Sequence, residues 1–111
     1  MKASLWAWFL QRVTAAVLLL LVAVHFGIMH FVDPTVHYDF FSSSIRLKGA
    51  LYFLVDAGLL YMGLFHGLNG IRNIVLDYWP NAGRTAGWVL GAIGVVAGWY
   101  GSMGLLAFLT K

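Results

Sequence analysis

The side chains able to hold a metal or move a proton are few: His25, His30, His37 and His66, the carboxylates Asp33, Asp39, Asp56 and Asp77, and no cysteine. Without thiolates the chain supplies neither a disulfide nor iron–sulfur ligation of its own, so a redox metal would be held through histidine or methionine. His66 is the most informative of these groups because of what shares its helical face. At about 100° per residue, Leu59, Met62, Gly70, Asn73 and Asp77 fall within about 40° of it, and Gly63 and Asn69 within about 60°. One stripe therefore carries an imidazole flanked by glycines and ends in a carboxylate. Gly63 and Gly70 lie about one turn either side of His66, where a missing side chain lets a flat macrocycle approach the backbone, and an imidazole beside such clearance suits haem iron. Interhelical hydrogen bonding is the competing role for a histidine in this setting, and the residues alone leave both open. Met29, Met62 and Met103 are read as apolar packing.

The elements that must position this face are membrane helices. Of 111 residues 61% are hydrophobic and only 10% charged, whereas a soluble surface needs roughly a quarter of its residues charged. A hydrocarbon core of about 30 Å takes about 20 helical residues to cross. Three stretches qualify: residues 13–32 and 85–110 without a formal charge, and 49–71 with only Asp56. The fold class expected is an all-α membrane protein of three transmembrane helices, residues 1–111 forming a single transmembrane domain. Its basic residues (Lys2, Arg12, Arg46, Lys48, Arg72, Arg84 and Lys111) sit at or beyond the span ends. The net charge of +3 thus reflects membrane flanking and not a nucleic-acid stripe.

Asp33-Pro34 and the run Ser42-Ser43-Ser44 place a loop between the first two spans, and Pro80, Asn81 and Gly83 mark the second turn, with residues 72–77 prolonging the second helix towards it. The first span is read as retained and not cleaved as a signal peptide. The basic residues on the side of Arg12, Arg72 and Arg84 slightly outnumber those opposite, which favours an inside N-terminus. In the third span Gly87, Gly91, Gly94, Gly98 and Gly101 share a face within about 40°, a groove against which a neighbouring helix packs closely. Three helices alone bury little, so a second membrane subunit is expected alongside.

Read as a string, His66-Gly67-Leu68-Asn69-Gly70-Ile71-Arg72-Asn73-Ile74-Val75-Leu76-Asp77-Tyr78 resembles the signature of the membrane anchor subunits of succinate dehydrogenase, respiratory complex II. Arg12-Val13-Thr14 resembles the family's Arg-x-Ser/Thr opening of the first span. The resemblance implies that His66 is an axial ligand of haem b, that Asp77 and Tyr78 lie at the quinone site, and that Arg12 approaches quinone or the haem propionates. It implies a quinone substrate, ubiquinone or menaquinone. The implied partners are a flavoprotein and an iron–sulfur subunit docked on the side of Arg12 and Asp77, and a second anchor completing a helical bundle in a bacterial or archaeal cell membrane. Gly70-Ile71-Arg72 looks like the larger of the two related cytochrome b anchors and Asp77-Tyr78 like the smaller, towards which the short length inclines the reading. Succinate oxidation itself would occur elsewhere in the complex, so this chain carries no dicarboxylate site, and fumarate reductases use similar anchors.

Because some members of that family hold two haems, His30 is a candidate ligand for a second and His25 a weaker one, with structural hydrogen bonding the alternative for both. His30 lies eighteen residues beyond Arg12 on the same helical face, about 27 Å further along. His37, in the loop, is read as solvated. Asp56 lies about 80° around from His66 and is read as structural, hydrogen-bonded to a neighbouring helix. A competing function class is a small proton-coupled transporter in which Asp56 and His66 carry protons, and another is a membrane scaffold in which His66 only packs.

Overall fold

In a computed structural model the described residues are 5–32, 45 and 49–110, with side chains described as far as residue 31 in the first segment and residue 107 in the last. Helix α1 spans Leu5–Gly27 and runs into a π-helical turn at Ile28–Val32; α2 spans Ala50–Tyr78; a 3₁₀ turn at Pro80–Ala82 leads into α3, Gly83–Thr110. No strand occurs among the described residues. Lipid offers no hydrogen-bond partner to an open backbone, so long apolar stretches must satisfy their amides within each helix. All three helices are long and apolar enough to cross a membrane. The longest dimension of 51 Å exceeds the roughly 40–45 Å of a bilayer with its headgroup regions.

The end of α2 follows from Pro80. A proline disfavours helical geometry at the residue before it, and Trp79 leaves the helix at φ −134°, ψ 79° while its N–H still reaches the Val75 carbonyl at 2.7 Å. Residues 72–77 do prolong the second helix, as expected, and α1 begins well before residue 13.

Helix α2 lies between the other two, which do not contact each other among the described residues. Against α3, Leu60, Leu64 and Leu68 meet Gly101, Gly98 and Gly94. A Cβ on Gly101 would lie 2.6 Å from Leu60 Cδ1 and one on Gly94 2.9 Å from Leu68 Cδ1, so a side chain at either place would force the facing leucine to shift. Two of the five glycines on the expected face thus perform the close approach; a Cβ on Gly98 would meet Leu64 at an ordinary 3.7 Å, and Cβ atoms on Gly87 and Gly91 would meet nothing within 4 Å. Tyr61 and Ser102 join their hydroxyls across the same seam. A row of three helices buries little: Val55, Ala86 and Thr14 are buried side chains, and Thr14, at 6% exposure, is a polar one.

Candidate cofactor-binding face

The face of α2 that carries His66 packs against α1 in antiparallel register. Thr14 meets His66, Gly58 lies against Leu21, and His25 meets Asp56. On α1 the contact positions Ala7, Gln11, Thr14, Leu21 and His25 recur at intervals of three, four and seven, which keeps them on one side of a helix.

His66 is half-buried. Its Nδ1 lies 3.2 Å from Thr14 Oγ1, and its backbone carbonyl accepts a hydrogen bond from Gln11 Nε2 at 3.2 Å. Gln11 Oε1 in turn accepts from Asn69 Nδ2 at 2.8 Å, and the same Asn69 nitrogen donates to the Ala7 carbonyl at 3.3 Å. Such a lattice is costly to leave unpaired in lipid, which is why polar side chains in spans join helices.

The glycines flanking His66 divide in role. A Cβ on Gly70 would sit 3.1 Å from Gln11 Nε2, so this glycine admits α1; a Cβ on Gly63 or Gly67 would meet nothing within 4 Å. Gly63 and Gly67 lie between the side of α2 that faces α1 and the side that faces α3. Clearance beside His66 therefore exists on the flank of Gly63 and Gly67, and the space at Gly70 is already taken. A single imidazole with open space beside it would suit a haem held through His66; among the described residues no cluster of three or more His, Cys, Asp or Glu side chains is arranged to bind a metal ion.

The other candidates are scattered. Arg12 is exposed and places its guanidinium 4.7 Å from the ring centre of Trp8. Asp77 and Tyr78 are at the last turn of α2, both exposed, the Tyr78 ring beside that of Trp79, and Asp77 is about 16 Å along the axis from His66. The antiparallel register puts Arg12 near the level of Gly67 and Leu68, so about 14 Å along the helix axis separates it from Asp77 and Tyr78. His30, exposed on the π-helical turn, stacks at 4.4 Å on Phe26. His25 Nδ1 lies 3.2 Å from Asp56 Oδ1. Asp56 and His66 do not meet, being about 15 Å apart along α2. His37 lies outside the described residues.

Sequence reasoning missed Gln11 altogether and passed over Thr14 as a partner of His66 and His25 as the partner of Asp56. The signal available was the spacing of polar residues along the first span: Gln11, Thr14 and His25 lie on one side of an otherwise apolar helix, the pattern of a polar seam.

Residues 1–100 match the family described as "Succinate dehydrogenase/Fumarate reductase transmembrane subunit", and the chain belongs to that family. It is similar to the protein named "Succinate dehydrogenase 2 membrane subunit SdhC" of Mycobacterium tuberculosis, with 30% identity over 95 residues covering 81% of this chain and 68% of the relative. Neither match favours the smaller anchor over the larger. No solved structure matches the chain.

Proposed function

We propose that this chain anchors a succinate:quinone oxidoreductase in the membrane, binds haem b through His66, and helps form the site at which quinone is reduced. The observation that carries the reading is the state of His66: one ring nitrogen is engaged by Thr14, and the helix flank beside the ring is open at Gly63 and Gly67. Haem, when bound, supplies a one-electron carrier in the bundle. Reduction of a quinone to a quinol takes two electrons and two protons; the Tyr78 hydroxyl can donate a hydrogen bond to a quinone carbonyl, and the Asp77 carboxyl can pass protons to it. Arg12, near the level of His66 on the neighbouring helix, supplies a fixed positive charge for a propionate or a reduced quinone oxygen.

The partners are those of the complex: a second anchor, an iron–sulfur subunit delivering electrons and a flavoprotein. The uncovered sides of the helix row, apolar along their length, are the surface available to the second anchor and to lipid. Fumarate reduction is the reverse direction of the same chemistry, and the family description covers both.

The test is the reduced-minus-oxidised spectrum of the purified complex, with haem quantified per copy of this chain. One b-type haem that disappears in His66→Ala, while flavin and iron–sulfur content persist, is the expected result; unchanged haem in His66→Ala overturns the assignment. A second haem in the wild type brings His30 or His25 into the ligand set. Asp77→Asn should slow quinone reduction while leaving succinate oxidation by a soluble dye intact.

A further inference from the structure

Directly behind His66 stands a hydroxyl on the most buried side chain among the described residues. Thr14, 6% exposed, has its Oγ1 within 2.7 Å of the Leu10 carbonyl, 3.2 Å of the Gln11 carbonyl and 3.2 Å of His66 Nδ1. A threonine hydroxyl has one hydrogen to give. Two of these three neighbours are carbonyl oxygens, which can only accept, and the shorter contact is to Leu10. If the hydrogen pointed instead at His66, the Thr14 and Leu10 oxygens would face each other lone pair to lone pair at 2.7 Å. The hydrogen therefore goes to Leu10, and towards His66 the hydroxyl oxygen accepts. His66 Nδ1 must then carry the proton, leaving the lone pair of the neutral ring on Nε2.

We infer that Thr14 is a positioning residue that holds the His66 ring with its Nε2 lone pair available to haem iron. This rests on the haem-ligand reading of His66. A metal-ligating histidine commonly donates its other N–H to an oxygen, which fixes the tautomer and raises the basicity of the ligating nitrogen. Here α1 supplies that oxygen and, one turn earlier, Gln11 grips the backbone carbonyl of the same residue. Ring and backbone are held from one helix, and the glycine at 70 is what admits the gripping side chain. A more basic nitrogen favours ferric over ferrous iron, so the Thr14 contact lowers the reduction potential of the haem.

The experiment uses the whole complex and compares wild type, Thr14→Val, Thr14→Ser and His66→Ala. Valine keeps the shape and removes the acceptor; serine restores it. Thr14→Val should still bind haem, but about tenfold or more weakly, and its midpoint potential should rise. A tenfold change in the ferric-to-ferrous preference corresponds to about 59 mV. Thr14→Ser should return both values, and the ferric electron paramagnetic resonance spectrum, to wild type. A second readout needs no variant to assemble: nitrogen-15 resonance of histidine in the dithionite-reduced wild-type complex should show His66 protonated at Nδ1. Wild-type potential and spectrum in Thr14→Val overturn the positioning role while leaving haem ligation intact; a proton on Nε2 overturns the positioning role together with ligation through that nitrogen. Absence of haem from the wild type, or its retention in His66→Ala, overturns the reading beneath it.

Discussion

Replacing Gln11 with leucine probes how α1 holds the His66 segment of α2. The substitution deletes two interhelical hydrogen bonds, the 3.2 Å donation to the His66 carbonyl and the 2.8 Å acceptance from Asn69. Hydrogen bonds between membrane helices contribute on average about 0.6 kcal/mol each and reach about 1.7, so the pair supports a loss between about 1 and 3 kcal/mol. Two features hold the figure towards the lower end. Asn69 keeps its 3.3 Å donation to the Ala7 carbonyl, and leucine fills part of the vacated volume. The expected loss is therefore about 1–2 kcal/mol. The assay is a double-mutant cycle of Gln11→Leu with Asn69→Leu, read by detergent titration of the purified complex with helix content as the signal. Because the two side chains share one bond, the double variant should lose about 0.5 kcal/mol or more less than the sum of the singles. Strict additivity, within about 0.3 kcal/mol, would refute the claim that Gln11 and Asn69 are joined.

Gly101→Val should destabilise the chain by about 1–3 kcal/mol through overpacking against Leu60, and pairing it with Leu60→Ala should recover part of that loss in the same titration. Gly63→Leu, at a site where a Cβ meets nothing within this chain, should leave helix content intact while lowering haem per complex; full haem occupancy would show that the macrocycle does not approach on that flank. Asp56→Asn keeps an acceptor for His25 and should shift stability by less than about 1 kcal/mol, whereas Asp56→Leu leaves the imidazole without its 3.2 Å partner and should cost about 1–3 kcal/mol, measured as a lowered unfolding midpoint. Trp8→Ala, which removes the ring under Arg12, should cost only about 0.5–1 kcal/mol as expected of an exposed cation–π contact, with any larger fall in quinone reduction assigning Arg12 a role in the site.

The sequence by itself determined the helices. Lipid forces every backbone amide to be satisfied within its own segment, so length and apolarity locate three spans, and Pro80 accounts for the end of α2 because it disfavours helix at Trp79. The string from His66 to Tyr78 likewise pointed to the family that residues 1–100 match. Periodicity placed Gly70, Asn73 and Asp77 on the face of His66, since a helix turns by a nearly constant angle per residue. What periodicity does not contain is which neighbour a face meets and at what register. Only the packing joined His25 to Asp56, Thr14 to His66 and Gln11 to Asn69, and only the packing separated Gly70, filled by Gln11, from Gly63, which stays open. The physical reason is that two apolar helices in lipid gain little by burial alone. Their relative rotation and register are settled by close-fitting side chains and a few polar contacts between residues far apart in the chain, and a pattern read along one helix at a time does not record those pairings.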